Sequence, residues 1–221
     1  MIEFCNFENF RNKHLGETVF FFGSGPTLRK FDLSHAKNAK RVGVNETIFF
    51  DSNLDYFFTG DAADPKFYSK IDEFNKFEAK LGKFVGVDQR DDLNIPKRIP
   101  GSVHNSLHYH TKLRAEFTTD PTVEDVARWG SISFDVMQIL PFMGFRKIYL
   151  VGHDCDYSDG TFYTKFGSGP GERDKLLDHW KKIKIFLDKS YPDLEVLSVN
   201  PVALTIFRDA TREIEERSED F

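Results

Sequence analysis

Small, amide and carboxylate side chains follow five of the six short apolar runs in this sequence. Glycine lets a ligand approach the backbone closely, and asparagine or aspartate can bind a base, a ribose or a metal ion. In a parallel α/β sheet the strand ends meet at one edge, where ligands bind. The pattern therefore predicts one ligand site of the kind that a nucleotide needs. The residues are Gly23-Ser24-Gly25, Asn45, Gly60-Asp61, Gly152-His153-Asp154 and Asn200.

Each position also has a second interpretation, because Gly, Asn and Asp terminate strands in proteins without a ligand. Asp61 and Asp154 could bind Mg²⁺, orient a hydroxyl or act as a base, and each could instead cap the next helix or close a turn. His153 could be a base, or a partly buried residue bonded to a carbonyl. We weigh the set above its members and expect a ligand site.

The Gly23-Ser24-Gly25-Pro26 turn joins an apolar strand to a helix start. We expect its backbone N–H groups to face an anion, which the helix dipole favours. The third glycine of the dinucleotide fingerprint is absent, and so is the Lys-Ser/Thr of a Walker loop. Neither standard phosphate motif is therefore matched, and a structural turn before a helix is the alternative.

Strands that alternate with helix-periodic segments predict an α/β fold with a mostly parallel sheet. The predicted strands are Val19–Phe22, Val42–Val44, Tyr56–Phe58, Phe84–Val87, Ile148–Val151 and Val196–Val199. Helices are predicted over 67–81, after Pro65, over 131–140, ended or kinked at Pro141 and closed by Gly144, and over 176–187. We expect an irregular excursion over the sheet edge at about 91–122 and a lid at about 158–172, which contains a second Gly-Ser-Gly-Pro.

Composition sets further limits. The 221 residues are enough for one domain, and the net charge of −5 gives no basic field for nucleic acid or an anionic membrane. Cys5 and Cys155 lie far apart, which argues against a disulfide framework or a structural zinc site. The sequence has neither an export signal nor a run of apolar residues long enough to span a membrane. We expect a single soluble domain over 1–221 in the cytoplasm, and composition does not predict its oligomeric state.

Two segments resemble the MptE-like Rossmann family, which takes its name from archaeal 6-hydroxymethylpterin diphosphokinase and includes motility-associated flagellin glycosyltransferases. They are 23–28, followed by Asn45, and 145–154, followed by 157–163. The same motifs are similar to single-domain bacterial sialyltransferases that use CMP-sialic acid. The resemblance runs in order from Val19 to Pro201 and implies a Rossmann-like three-layer fold with a mostly parallel central sheet.

The resemblance to sialyltransferases also implies residue roles. Ser24 and Asn45 would contact the cytidine monophosphate, and the phenols of Tyr157 and Tyr163 would assist departure of the phosphate. The expected catalytic set is Asp154, His153, Tyr157 and Tyr163, and the expected nucleotide-binding set is Gly23, Ser24, Gly25, Asn45, Asp61, Ser131, Ser133, Gly152 and Asn200. This reaction would require no cofactor and no metal.

Two departures from the sialyltransferase pattern bear on the reaction. The histidine base of those enzymes lies in a His-Ser pair after the lid, and nothing between Gly160 and Asp178 reproduces it. His179 lies nearby, in an amphipathic segment where we expect it to pack at the edge of the apolar stripe. Asp61 stands where the sialyltransferases tend to have an amide.

We expect a sialyltransferase-like glycosyltransferase of surface-glycan synthesis, with a nucleotide-sugar donor and a glycan acceptor as partners. One alternative is an MptE-like diphosphokinase that uses ATP and Mg²⁺, with the metal on Asp61 and Asp154. A non-catalytic nucleotide-binding module is the other.

Overall fold

The computed structural model describes residues 3–60, 71–88, 103–156, 158, 160–163 and 170–216. These residues form a sheet of ten strands in the order β1-β6-β5-β4-β3-β2-β8-β9-β10, with β7 also paired to β6. Every strand pair described is parallel. The strands are β1 (Glu3–Phe4), β2 (Thr18–Phe22), β3 (Lys40–Val44), β4 (Tyr56–Thr59), β5 (Gly82–Asp88), β6 (Leu107–Leu113), β7 (Val126–Arg128), β8 (Lys147–Val151), β9 (Glu195–Val199) and β10 (Arg208–Asp209).

Helices cover both faces of the sheet, which makes three layers. One face packs against α2 and α3, and the other packs against α1, α4 and three of the short 3-10 helices. The α-helices are α1 (Ile71–Lys76), α2 (Ile132–Phe142), α3 (Pro170–Ser190) and α4 (Thr211–Glu216). The 3-10 helices are Phe7–Phe10, Pro26–Lys30, Leu33–Ala36 and Asn45–Phe49. The predicted α/β class and Rossmann-like three-layer architecture are confirmed.

The central strand β2 shows why its sequence is a continuous apolar run. Side chains alternate across a strand, so Val19 and Phe21 face α2 and α3 while Phe20 and Phe22 face the opposite layer. All four are at most 2% exposed. A strand that is covered on both sides needs apolar residues at every position, and this one has them.

The order in which successive strands are added to the sheet reverses at β2. The strands β3, β4, β5 and β6 follow on one side of it, and β8, β9 and β10 follow on the other. The two halves diverge between the carboxyl ends of β2 and β8, and a crevice at such a switch point is where open α/β sheets bind ligands.

The six predicted strands are all confirmed, as β2, β3, β4, β5, β8 and β9. The expectation of an irregular excursion is wrong over Leu107–Leu113, which is the strand β6 within the sheet. His108, Tyr109 and Thr111 of this strand are buried, so its polar composition did not indicate a strand inside the sheet. The earlier part of that excursion, 91–102, lies outside the described residues.

The predicted helices are confirmed in part. The chain stays helical through Pro141 to Phe142, two residues beyond the predicted end, and Gly144 closes the segment at a φ of +98°. Of the predicted helix over 67–81, Ile71–Lys76 is helical, the prediction is wrong over 77–81, and 67–70 lie outside the described residues. Cys5 and Cys155 are free thiols. Within the described ranges, no helix combines the length and the apolar character needed to cross a membrane.

Candidate functional site at the carboxyl edge of the sheet

The turn after β2 and the loop after β8 are bonded to each other at the switch point. The Gly23 N–H donates to the Val151 carbonyl at 2.8 Å, and the Gly25 N–H donates to the Gly152 carbonyl at 2.7 Å. A Cβ at Gly25 would lie 2.6 Å from the Gly152 oxygen and from the Asp154 carboxylate. Gly152 has a φ of +69°, and its own Cβ would lie 2.7 Å from the Gly23 oxygen. Close backbone packing therefore accounts for these three glycines.

The expectation that the Gly23 and Gly25 amides face an anion is wrong in this conformation, because both already bind carbonyls. Ser24 and Pro26 are the partly buried residues of the turn, and Gly23 and Gly25 are buried. Ser24 is thus the residue of the turn that combines a polar side chain with some exposure.

Asp154 occupies the anion position at the start of the 3-10 helix Pro26–Lys30. Its Oδ2 accepts the Thr27 N–H at 2.8 Å, and its Oδ1 accepts the Thr27 hydroxyl. Burial raises the pKa of this carboxyl, and the Thr27 bonds oppose that shift. The structure therefore favours the capping interpretation, since Asp154 is 2% exposed and both of its oxygens bind Thr27.

His153 follows β8 and lies between Phe21 and Trp180. The ring centroids are 4.5 Å and 5.7 Å away, and the Trp180 ring is perpendicular to the imidazole. Neither ring nitrogen has a hydrogen-bond partner within the described part of the chain. Burial lowers the pKa of His153 to about 3, and the Val151 carbonyl offsets that only in part. His153 is 7% exposed and neutral at physiological pH, so the expected role of a base at the surface of the site is not met in this conformation.

Asn45 joins the carboxyl ends of β3 and β4. It begins the 3-10 helix Asn45–Phe49 with a φ of +49°, a region in which asparagine is more favourable than most residues. Its Oδ1 accepts the Thr59 hydroxyl at 2.9 Å. Asn200 also has a positive φ, of +53°, and its N–H donates to the Thr211 hydroxyl at 2.7 Å. Asn200 therefore joins β9 to α4.

The segment 160–163, at the start of the predicted lid, is bonded to the loops after β2 and β3. The Phe162 N–H donates to the Ser24 carbonyl at 2.9 Å, and Arg29 Nε donates to the Phe162 carbonyl at 2.7 Å. The Thr161 hydroxyl donates to Glu46 Oε2 at 3.2 Å. These bonds bring this segment to the carboxyl edge, beside the predicted nucleotide-binding turn.

Tyr163 stacks on Phe49, with ring centroids 4.3 Å apart and planes at 11°. Tyr163 is 49% exposed. Tyr157, the other predicted phenol, lies outside the described residues. Asp61 of the predicted nucleotide-binding set lies outside them as well. The later part of the predicted lid, 164–169, lies outside them as well.

Ser131 and Ser133 lie at the start of α2. The Ser131 hydroxyl accepts the Ser133 N–H at 3.3 Å, so Ser131 is the N-cap. Ser133 is 7% exposed. His179 packs against Trp129 at the same end of the helix, with ring centroids 5.0 Å apart, as expected for a residue at the edge of the apolar stripe.

Sequence reasoning missed the polar residues that hold the start of α2 on the sheet. Asp135 is fully buried, and its Oδ2 accepts bonds from Arg128 Nη2 at 2.5 Å and from the Tyr109 hydroxyl at 3.0 Å. Gln138, one turn later, is also fully buried. The sequence contains a signal for these residues, because Asp135 and Gln138 stand three positions apart within a largely apolar helix.

Comparison with known proteins concerns the fold. No family model matches the chain, and neither does any curated protein. Solved structures do match. The chain is similar in fold to a sialyltransferase. The sialyltransferase CstII from Campylobacter jejuni, in complex with the substrate analogue CMP-3FNeuAc, aligns with a TM-score of 0.52 and 12% identity, over 88% of this chain and 86% of that chain.

A second structure, the sialyltransferase CST-II in complex with a trisaccharide acceptor and CMP, aligns with a TM-score of 0.52 and 13% identity. The alignment again covers 88% of this chain and 86% of that chain. The sialyltransferase-like fold thus extends over most of both molecules.

Proposed function

We propose that the protein is a glycosyltransferase that moves a sugar from a nucleotide donor, most simply a CMP-linked sugar, to a glycan acceptor. One observation carries the proposal. The strand order reverses between β2 and β8, and the fold is similar to that of a sialyltransferase solved with CMP and an acceptor. We extend the proposal to membership of the MptE-like family and to surface-glycan synthesis in the cytoplasm.

The reaction needs a nucleotide site, an acid for the departing phosphate and a base for the acceptor hydroxyl. In this proposal Ser24 and Asn45 bind the nucleotide, because they lie at the carboxyl ends of β2 and β3. Tyr163 donates its phenol proton to the leaving phosphate. The acceptor oxygen bonds to the anomeric carbon as the bond from that carbon to the CMP oxygen breaks, and the proton of the acceptor hydroxyl passes through water to the Tyr163 phenolate. We do not assign the base to His153 or Asp154, because both are buried.

A non-catalytic nucleotide-binding module is the second candidate. The burial of His153 and Asp154 favours it, since both were expected to perform chemistry. Asp154 also bears on the diphosphokinase alternative, because its two oxygens already bind Thr27 and are not open to Mg²⁺ in this conformation.

A thermal-shift assay with CMP, CDP, UDP and ATP tests the proposal, each with Mg²⁺ or with EDTA. A ligand at 100 times its Kd stabilises a protein by about 2.7 kcal/mol, which raises the Tm of a domain this size by roughly 5 to 10 °C. We expect CMP to stabilise the protein in EDTA. A response to ATP alone, and only with Mg²⁺, contradicts the proposal and supports the diphosphokinase.

The matched variants are Asn45→Gly and Asn12→Gly. Both asparagines have a positive φ, of +49° and +53°, which glycine adopts without strain. We expect Asn45→Gly to lose at least about tenfold in affinity for CMP, the cost of one hydrogen bond of about 1.4 kcal/mol, and Asn12→Gly to lose none. CMP release from CMP-sialic acid, measured with and without Tyr163→Phe, separates the enzyme from the inert module. Absence of any release supports the module.

A further inference from the structure

A cavity of about 570 Å³ lies at the amino edge of the sheet, at the opposite end of the strands from the candidate site. The loops that precede four consecutive strands of the sheet, β2, β3, β4 and β5, contribute to it. It is lined by Gly16, Glu17, Thr18, Lys37, Asn38, Ala39, Lys40, Arg41, Asp55 and Lys80. The two sites are about 17 Å apart along β2, which has five residues that each advance the chain by about 3.3 Å.

The charge of this cavity is positive although the chain is acidic. Four cationic and two carboxylate side chains line it, in a protein with a net charge of −5. The two carboxylates have partners of their own. Glu17 lies 3.2 Å from His14 Nδ1, and Asp55 Oδ2 accepts the Arg41 N–H at 2.8 Å.

The cations differ in how far they are already neutralised. Arg41 pairs with Asp51 at 3.1 Å, so its charge is largely used within the fold. Lys40 and Lys80 form no ion pair within the described ranges. Lys40 is the first residue of β3 and Lys80 lies in the loop before β5, so a ligand between their ammonium groups would be bound from two sides.

His14 lies beside Glu17, one of the residues that line the cavity. Burial lowers the pKa of His14, the bond and the charge of Glu17 oppose that shift, and the charges of Lys40 and Lys13 make a smaller contribution that lowers the pKa. The ring is nearly inaccessible and bonds to the Tyr56 hydroxyl at 2.7 Å. His14 is therefore a buried neighbour of the cavity and adds no positive charge to its lining.

We propose that this cavity at the amino edge is a second ligand site, for a small molecule that carries phosphate or pyrophosphate. Its concave shape and its volume match small-molecule sites, which measure roughly 300 to 1,000 Å³, rather than a flat surface for a membrane or a protein. A multivalent anion complements the two lysines, and it would bind more weakly as salt screens them. This proposal is independent of the proposed glycosyltransferase activity.

Isothermal titration calorimetry at low ionic strength tests the proposal, with inorganic phosphate, pyrophosphate and CMP as probes. The test variant is Lys40→Gln with Lys80→Gln, and the control variant is Lys112→Gln with Lys189→Gln, which removes the same charge at positions that do not line the cavity. We expect pyrophosphate to bind the natural protein and the control, and to bind the test variant at least tenfold more weakly. Amide shifts in NMR spectra should map to Gly16, Lys40 and Asp55.

Two outcomes distinguish the possible ligands. If the test variant binds both CMP and pyrophosphate more weakly, the cavity is a nucleotide site. If it binds only phosphate and pyrophosphate more weakly, the cavity binds an inorganic or terminal phosphate. Absence of saturable binding to the natural protein overturns the proposal, as does equal affinity in the test and control variants. If CMP binding is lost in Asn45→Gly and kept in the lysine variant, CMP binds at the carboxyl edge and not in this cavity. The two proposals can therefore fail separately.

Discussion

At the scale of single residues, burial decides what the polar side chains after the strands can do. Asp154 follows the strand β8, where a catalytic carboxylate would be expected, and it caps the 3-10 helix Pro26–Lys30. His153 beside it is enclosed by aromatic rings. Both residue types suggest catalysis when the sequence is read alone, but in the fold both side chains are buried. Among the described residues of this edge, Ser24 and Asn45 are partly buried and Tyr163 is 49% exposed.

The buried His153 should make stability depend on pH. Its pKa is about 3 in the folded protein and 6.5 in the unfolded chain, so the unfolded chain binds the extra proton between these values. Stability is therefore complete above pH 6.5 and falls as the pH decreases toward 3, at about 1.4 kcal/mol per pH unit. We expect His153 to account for about 2 kcal/mol between pH 6.5 and 5, measured by urea unfolding.

The variant His153→Leu is the control for that measurement. His14, His108 and His179 also have lowered pKa values and act in the same direction, so the difference between the two proteins isolates His153. An identical dependence on pH in both would show that the His153 ring is hydrated or protonated in the folded state.

Asp154 allows a test of the capping role. The variant Asp154→Ala leaves the Thr27 N–H without a partner at a buried position, which should cost about 1 to 3 kcal/mol of unfolding free energy. Asp154→Asn keeps an acceptor oxygen and should cost less. Asp32→Ala removes an exposed cap from the 3-10 helix Leu33–Ala36 and should cost less than Asp154→Ala. If Asn and Ala were equally destabilising at 154, the negative charge itself would be the contribution.

At the scale of elements, α2 connects the site to the rest of the sheet. All of its residues from Ile132 to Phe142 are buried, so the polar residues within it must find partners inside the protein. Asp135 bonds to Arg128 at the end of β7 and to Tyr109 of β6. The start of α2, with Ser131 and Ser133, is therefore held at the carboxyl edge by a buried polar network.

Gln138 should be a major determinant of stability in this helix. Its Oε1 accepts the N–H groups of Thr118 and Ala127, and its Nε2 donates to the Ala127 carbonyl at 2.8 Å. Gln138→Leu would leave these backbone groups buried without partners, at a cost of about 2 to 5 kcal/mol in urea unfolding. Met137→Leu, a change of similar volume at the adjacent buried position, should cost less than about 1.5 kcal/mol. A loss below 1 kcal/mol for Gln138→Leu would contradict this account.

At the scale of the whole molecule, the sheet is most enclosed at its centre and thins toward its edges. The strands β2 and β8 pair over five residues and are covered by helices on both faces. The strands β1 and β10 have two residues each, and each pairs with a single neighbour. Short edge strands offer little backbone for unwanted pairing with another chain.

Hydrogen exchange should follow this gradient. Central strands open only with global unfolding, whereas edge segments open locally at a small free-energy cost. We expect the amides of β2 and β8 to exchange at least about 100-fold more slowly than those of β1 and β10 under native conditions, measured by mass spectrometry. Equal protection would mean that the edges are covered by another copy or by a partner.

The strands and the site were predictable to different extents. Both faces of the central strands are buried, so runs such as Val19–Phe22 are apolar throughout and were recognised from sequence. The strand β6 was not recognised, because His108 and His110 interrupt the apolar pattern expected of a strand. The glycines of the turn were identified as a place of close approach, and what approaches them is the loop after β8 rather than a ligand.

The sequence by itself determined the α/β class, the parallel strands and the edge at which their polar ends meet, because periodicity and strand-terminating residues are local properties. Only the tertiary structure decided which of those polar residues are accessible. Asp154 and Thr27 are 127 positions apart and still form a helix cap. Such pairings depend on how distant loops cross at the switch point, and local patterns carry no information about that. The same crossing leaves Ser24 partly buried and Tyr163 exposed at the edge where we propose that a nucleotide binds.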